Sequence, residues 1–239
     1  MSVNFEELDF RPTPMGALSL RRRRLPGTDI DVYEIKLGDE YLMSSRFTVA
    51  EIELARLGLA ALCRENLDVV VGGLGLGYTA QAALENPRVR SLIVVDALAE
   101  VIEWHEQGLL PLGKQLTADP RCRLVNGDFF ALSGSAEGFD PDSSGRRFDA
   151  VLVDIDHSPR NLLHPRHAAL YEREGLARLA DHLKPGGVFA LWSNDAPDAA
   201  FSEALASVFA TSDAQVLTFD NSFGDHDASN TVYIGIKAG

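Results

Sequence analysis

The chain has 239 residues, of which 46% are hydrophobic and 24% charged, and its 35 acidic and 22 basic residues give a formal net charge of −13 at pH 7. These values are ordinary for a globular protein and exclude a collagen, a coiled coil or a wholly disordered chain. The acidic balance argues against nucleic acid as the main partner. It suits a small cationic substrate, or else the excess of acidic residues serves solubility alone. The length allows one large domain with a small appendage.

The two cysteines, Cys63 and Cys122, show no spacing typical of a disulfide framework or a zinc site. We therefore expect a reducing, cytoplasmic location. The most apolar stretch, residues 69–84, contains four glycines and is too short to cross a bilayer, so no membrane partner is expected. The histidines at positions 157, 164 and 167 match no zinc motif, so we expect no metal. For the oligomeric state, we consider a homodimer.

The first 46 residues are predicted to form a short β-rich segment. Apolar and charged residues alternate over 33–37, and turns are expected at Pro26-Gly27 and Gly38-Asp39. The basic run 21–24 is predicted to be a solvated strand edge that discourages pairing. A helix should follow, with Thr48 and Glu51 forming a capping box.

Residues 47–239 are predicted to form a nucleotide-binding transferase domain, because buried strands and helices alternate from residue 67. Strands are predicted at 67–71, 91–96, 121–126, 148–154 and 188–192, with helices at 78–85, 98–107, 164–182 and 199–210. Strands at 215–219 and 231–237 should close the sheet as an antiparallel hairpin, with Asp225-His226-Asp227 in its loop. The pattern predicts an α/β fold, namely a doubly wound, seven-stranded, mostly parallel sheet with a short N-terminal β segment.

A glycine-rich loop directly follows the first of these strands and contains Gly72, Gly73, Gly75 and Gly77. Glycine permits the sharp turn and the close ligand approach that nucleotide-binding loops need. The dinucleotide pattern G-x-G-x-x-G fails, because counting from Gly73 places Tyr78 at its last position. The lysine of a phosphate-binding P-loop is also absent.

Two acids after the next strands indicate which nucleotide is bound. Asp96 ends the second strand, where a carboxylate can accept hydrogen bonds from both ribose hydroxyls. Asp128 follows the third strand and can accept from an adenine amino group, while Phe129 can lie against the ring. Each acid could instead cap a helix. Together they suit an uncharged adenosine, and the combination resembles the class I AdoMet-dependent transferase fold, which implies AdoMet or decarboxylated AdoMet as cofactor.

Three segments, 96–103, 126–128 and 148–156, resemble the spermidine synthase (polyamine aminopropyltransferase) family. The resemblance implies that Asp154, the first acid of the fourth-strand motif, deprotonates the attacking amine. The family's second acid, which holds the polyamine, falls at His157, beside Asp156. This sequence also has Gly75 and Leu98 at two positions where the family has acids, and Leu42 or Met43 where it has a glutamine.

Polar residues beyond the carboxyl ends of the strands complete the predicted site. As substrate ligands we predict Asp156, His157, Trp192, Asn194 and Asp195. The structural alternatives are a cofactor contact or loop cap for Asp154, an exposed loop position for His157, and a helix cap for Asn194 and Asp195. The predicted function is transfer of an aminopropyl group to a small, cationic amine. The alternatives are methyl transfer from AdoMet and a non-catalytic nucleoside-binding protein.

Overall fold

The computed structural model describes residues 5–219 and 228–239, so the predicted loop residues Asp225-His226-Asp227 lie outside the described part. The strands are β1 (Phe5–Thr13), β2 (Gly16–Arg24), β3 (Asp31–Leu37), β4 (Glu40–Ser44), β5 (Leu67–Gly72), β6 (Val89–Asp96), β7 (Cys122–Asn126), β8 (Phe148–Val153), β9 (Leu183–Ser193), β10 (Thr211–Phe219) and β11 (Ala228–Ile236).

Helices connect most of the later strands. They are α1 (Val49–Ala60), α2 (Tyr78–Glu85), α3 (Ala99–Glu106), α4 (Gly113–Ala118), α5 (Phe129–Ser133), α6 (Ala168–Tyr171), α7 (Arg173–Asp181) and α8 (Ala199–Val208), with one 3₁₀ turn at Pro165–His167. The helix predicted over 164–182 is thus broken into three pieces. In the described ranges, every helix is too short or too polar to cross a membrane.

The main sheet has seven strands in the order β10-β11-β9-β8-β5-β6-β7. Its strands are parallel except β11, which pairs antiparallel with both β9 and β10. The fold class predicted from the sequence is therefore confirmed, including the closing hairpin.

Both faces of the central strands β5 and β8 are buried, which explains why these strands show no polar alternation. Along β5, Val69 and Val71 join one apolar cluster, whereas Val70 joins a second on the other face. Full burial of one such side chain stabilises the fold by roughly 1.5–3 kcal/mol. Helices must therefore cover both faces, as in other parallel sheets.

The order of the strands places a crevice at the carboxyl end of β5. This strand pairs in parallel with β6 on one side and with β8 on the other. The connections after β5 and β8 run in opposite directions, and open α/β sheets bind ligands at such a switch point. The glycine-rich loop follows β5 and lies at this position.

The N-terminal strands form a separate antiparallel sheet in the order β1-β2-β3-β4. Its residues Leu18, Leu20 and Ile35 belong to the same apolar cluster as one face of the main sheet. Strand β4 ends at Ser44 and α1 begins at Val49. The domain division between residues 46 and 47 stays a prediction.

The basic run 21–24 is not a strand edge, so that prediction is wrong. It lies on β2, which pairs with β1 on one side and β3 on the other. Each arginine faces an acid on a neighbouring strand or turn: the pairs are Arg21–Glu7, Arg22–Glu6, Arg23–Glu34 and Arg24–Asp31. These charges serve cross-strand pairing within the sheet.

Asp68 is the buried centre of an ion-pair network at the amino end of the main sheet. Its carboxylate accepts from Arg90 (2.6 Å), Arg146 (2.9 Å) and Lys184 (2.8 Å). Burial alone raises the pKa of Asp68, but hydrogen bonds from Arg90 and Lys184 outweigh it and hold the pKa well below the ordinary range. The folded state thus requires the ionised carboxylate.

Asp68→Asn should lower the free energy of unfolding by about 3–5 kcal/mol at neutral pH, because three cations lose their shared partner. Since the folded-state pKa is depressed, wild type should lose this stabilisation as the pH falls below about 4, and the variant should not. Chemical denaturation across pH measures both effects. Asp213→Ala, at an exposed position on β10, is the control, with an expected change within about 0.5 kcal/mol. A loss below about 1 kcal/mol for Asp68→Asn would contradict the network's role.

Candidate functional site

A cavity of about 210 Å³ lies at the carboxyl ends of β5, β6 and β8, between the main sheet and the N-terminal sheet. Eight residues predicted from the sequence line it: Gly73, Gly75, Asp96, Asp128, Phe129, Asp154, His157 and Trp192. The other predicted residues, Gly72, Gly77, Asp156, Asn194 and Asp195, do not line this cavity. Carboxylates of the cavity lie at the strand ends, and apolar side chains line much of the remaining wall.

The glycine loop is shaped by close packing against the strand ends. Gly73 has φ +92°, and a Cβ there would clash with the backbone oxygen of Asp154. A Cβ at Gly72 would lie 2.6 Å from the ring of Phe129, so this glycine makes room for a side chain rather than for a ligand. Gly77, with φ +94°, precedes α2 and faces Leu116. Only Gly73 and Gly75 of the predicted four therefore reach the cavity.

Two side chains hold the turn at Gly75. The Leu76 N–H donates to the Met43 sulfur at 2.8 Å, and His105 Nε2 hydrogen-bonds the Gly75 carbonyl at 2.9 Å. Burial lowers the pKa of His105. The neutral imidazole, with its proton on Nε2, suits this bond.

Asp96 joins the glycine loop to the start of α3. One carboxylate oxygen accepts from Leu74 N and the other from Leu98 N, both at 2.8 Å. Each oxygen keeps a second lone pair that can accept from a hydroxyl. Burial raises the pKa of Asp96, while these backbone bonds favour the ionised form. The geometry suits a pair of ribose hydroxyls.

Asp128 both caps a helix and faces the cavity. Its Oδ1 accepts from Phe130 N (3.0 Å) and Ala131 N (3.1 Å), which satisfies the first turn of α5. Within the described residues, Oδ2 has no hydrogen-bond partner, so it can accept from an adenine amino group. The helix-cap alternative and the ligand prediction are thus compatible here.

Aromatic rings flank Asp128. The ring of Phe129 is buried and stacked on Phe139, with centroids 4.9 Å apart. Sequence reasoning missed a second pair, Phe130 and His167, whose rings stack 3.6 Å apart with 10° between their planes. Both rings line the cavity and offer flat surface for a purine. Their separation of 37 positions leaves no local signal in the sequence.

Asp154 follows β8 and reaches the cavity beside the glycine loop. Its Oδ2 accepts from the Thr79 hydroxyl at 2.7 Å, and Oδ1 has no hydrogen-bond partner in the described part of the chain. Burial raises the pKa of Asp154 to about 6, while the bond from Thr79 favours the ionised form. A carboxylate with a free oxygen and a raised pKa can take a proton near neutral pH.

Glu51 is the main residue that sequence reasoning assigned wrongly. Thr48 does precede α1, but its side chain makes no capping bond, so the predicted capping box is absent. Glu51 instead lies buried in the wall of the same cavity as Asp154. Burial and then the charge of Asp154 raise the pKa of Glu51 to about 8. The charge of Asp154 thus favours the protonated form of Glu51, and the two carboxyls titrate as a pair.

Asp156, predicted to bind substrate, is fully buried outside the cavity. Its carboxylate accepts from Leu163 N (2.7 Å), and His167 Nδ1 and the Tyr171 hydroxyl each lie 2.8 Å from it. These bonds occupy both oxygens. Asp156 therefore orders the segment after β8, and its assignment as a substrate ligand is not supported by the geometry.

Asn194 and Asp195 lie at the end of β9, also away from this cavity. Asn194 Oδ1 accepts from Asn230 Nδ2 at 2.9 Å, and the Asp195 carbonyl accepts from the Thr231 hydroxyl at 2.7 Å. Neither caps α8, because Asp198 does so through its bond from Phe201 N. Both residues join the end of β9 to β11.

His157 and Trp192 line the remaining wall of the cavity. His157 Nε2 hydrogen-bonds Glu40 Oε1 at 3.0 Å and so links the segment after β8 to the N-terminal sheet. Trp192 Nε1 is buried and has no hydrogen-bond partner in the described ranges. Across the same ranges, no group of three or more histidine, cysteine or acidic side chains is arranged to hold a metal ion.

Comparisons with known proteins support the resemblance seen in the motifs. No protein-family model matches the chain. Polyamine aminopropyltransferase 2 of Pseudomonas aeruginosa is 32% identical to it over 155 residues, which is 61% of this chain and 40% of that protein. The match thus spans less than half of the relative's length.

Solved structures extend the likeness to almost the whole fold. A spermidine synthase in complex with the transition-state analogue AdoDATO covers 97% of this chain and 74% of its own, with a TM-score of 0.71 and 18% identity. The spermidine synthase of Thermotoga maritima covers 97% and 73%, also with a TM-score of 0.71 and 18% identity. The resemblance to spermidine synthases is confirmed, and these structures share the fold of this chain.

Proposed function

We propose that this chain is an aminopropyltransferase that uses decarboxylated AdoMet as donor and a small amine as acceptor. The similarity to polyamine aminopropyltransferase 2 and to spermidine synthases supports the reaction class. The observation that carries the proposal is the pair of carboxyls in the cavity wall, the buried Glu51 and the half-buried Asp154. A donor tail that ends in an ammonium is attracted there, whereas the carboxylate of AdoMet is repelled.

The nucleoside part of the donor fits the residues at the strand ends. We assign the ribose hydroxyls to Asp96 and the adenine amino group to Oδ2 of Asp128, with Phe130 and His167 beside the base. None of these groups carries phosphate-binding chemistry, which agrees with an uncharged adenosine. The binding energy of these contacts positions the sulfonium near Asp154.

Asp154 acts as the base in this proposal. The neutral amine nitrogen attacks the methylene carbon next to the sulfonium sulfur, a C–N bond forms, and the C–S bond breaks. The sulfur keeps the electron pair and leaves as the neutral thioether methylthioadenosine. The proton lost by the amine goes to Oδ1 of Asp154, because Oδ2 is held by Thr79.

Calorimetry and turnover test this assignment. Decarboxylated AdoMet and methylthioadenosine should bind more tightly than AdoMet, and methylthioadenosine should be released only when donor and amine are both present. Tighter binding of AdoMet, or release of S-adenosylhomocysteine, would contradict the proposal. Failure of all three nucleosides to bind would overturn the nucleotide site itself.

The pH dependence of turnover should report the ionisation of Asp154. Because the base must be ionised, kcat/KM should fall as the pH drops below about 6. Thr79→Val removes the bond that favours the ionised carboxylate, so the pKa rises and this acidic limb should move up by about one pH unit. Titration of the amine is common to both proteins, so the difference between their pH profiles isolates Asp154. Identical limbs would exclude Asp154 as the titrating group.

A cytoplasmic location and a homodimer stay predictions of the proposal. The location rests on Cys63 and Cys122, which are both free thiols.

A further inference from the structure

The N-terminal sheet contributes only apolar side chains to the cavity wall. They are Met15, Ile35, Leu37, Leu42 and Met43. Side chains alternate between the two faces of β3, so the charged residues Glu34 and Lys36 point to the face opposite Ile35 and Leu37. On that face, Glu34 Oε1 accepts a hydrogen bond from Arg23 Nε at 2.8 Å. No carboxylate from this sheet therefore faces the cavity.

A β-bulge increases the apolar surface of this wall. Ile35 pairs with Met43 and Lys36 pairs with Tyr41, so Leu42 is an extra residue on β4 without a partner on β3. The bulge allows two neighbouring residues, Leu42 and Met43, to line the cavity together. Bulges of this kind re-aim side chains next to binding sites.

In the described ranges, the other carboxylates of the cavity can be assigned one by one. Asp96 and Asp128 face the nucleoside, and both oxygens of Asp156 are occupied outside the cavity. Glu51 and Asp154 remain, and because burial and the charge of Asp154 raise the pKa of Glu51, one negative charge on the pair is favoured over two. That charge is matched by the primary ammonium of the donor. A second ammonium on the acceptor would face the apolar wall without a partner, which is strongly unfavourable.

On the basis of the proposed aminopropyl transfer, we propose that the acceptor is a primary monoamine with an alkyl or aryl body rather than a diamine. The amine faces Asp154, and the body packs against the wall formed by residues 15, 35, 37, 42 and 43. The transferred group forms a C–N bond with this amine, the C–S bond of the donor breaks, and the displaced proton goes to Asp154.

The test compares acceptors with the same five-carbon chain on the wild-type protein. n-Pentylamine and cadaverine differ by one terminal amine, and phenethylamine tests an aryl body. With decarboxylated AdoMet as donor, kcat/KM should be about tenfold or more higher for n-pentylamine than for cadaverine. Equal or greater activity with cadaverine would overturn this inference and leave the aminopropyl-transfer proposal intact. Inactivity with every amine, in a protein that binds the donor, would overturn both.

A variant pair tests the wall directly. Leu42→Glu places a carboxylate on the bulge and should shift the ratio of n-pentylamine to cadaverine activity toward the diamine by about tenfold. Leu42→Gln has the same length without the charge and should keep the wild-type ratio. A ratio that is unchanged in Leu42→Glu, or equally changed in both variants, would contradict the assignment of this wall to the acceptor.

Discussion

Asp154→Asn should lower kcat for aminopropyl transfer by about 10²–10⁴-fold, the usual contribution of a positioned general base. The asparagine keeps the shape of the side chain and can still accept from Thr79, which lies 2.7 Å from Asp154 Oδ2. It cannot take the amine proton. Donor affinity should change far less than kcat, because Asp96 and Asp128 are untouched and Glu51, freed from the charge that raises its pKa, remains to face the donor ammonium. Rapid-quench measurement of methylthioadenosine, together with calorimetry, separates the two quantities.

Stability provides an internal control for this variant. Burial raises the pKa of Asp154 above its unfolded value, so the ionised carboxylate disfavours folding and this effect grows as the pH rises through about 6. Asp154→Asn should therefore be at least as stable as wild type at neutral pH.

Asp142→Asn is the activity control: the Asp142 side chain is 77% exposed, so this variant should keep full activity. If Asp154→Asn retained more than about a tenth of wild-type kcat, the base would have to be sought elsewhere, first at Glu51.

Asp96→Asn should weaken binding of the adenosyl donor by about 10²–10³-fold. Both carboxylate oxygens accept from backbone N–H groups, at Leu74 and Leu98, and both are assigned to ribose hydroxyls. An amide replaces one acceptor with a donor, so one backbone N–H and one hydroxyl lose their partner. Each lost bond to a charged group costs about 1.5–3 kcal/mol.

Asp128→Asn is the matched comparison for this prediction. Only its Oδ2 is assigned to the ligand, and Oδ1 keeps the α5 cap in both proteins. We expect about a tenfold loss of affinity, clearly smaller than for Asp96→Asn. Calorimetric titration with methylthioadenosine measures both without turnover. Equal affinities for wild type and Asp96→Asn would contradict the assignment of the ribose.

The parts of the fold that follow local rules could be predicted from the sequence. Strand β5 is an unbroken buried run because both faces of a parallel sheet are covered, and its end is marked by glycines. Strand β1 lies in the segment predicted to be β-rich, but its bounds were not predicted, because its charged residues Glu6 and Glu7 are paired with arginines of β2 across the sheet. Such pairing is visible only when the two strands are placed side by side.

The candidate site was predictable only in part, for a similar reason. Asp96 could be assigned because its place at a strand end determines its surroundings. Glu51 fits a capping box in the sequence, but tertiary packing turns it into the cavity beside Asp154. Asp156 lies two residues beyond Asp154, after the strand has ended, so the sequence could not show that its carboxylate points toward Tyr171.

Identification of the amine product by mass spectrometry tests the central claim most directly. The protein is incubated with n-pentylamine and either decarboxylated AdoMet or AdoMet. The proposed function predicts the N-aminopropyl derivative of the amine, with methylthioadenosine in equal amount, from decarboxylated AdoMet alone. An N-methylated amine formed from AdoMet would contradict it. So would the absence of any modified amine from either donor when the incubation is repeated with other monoamines and with diamines.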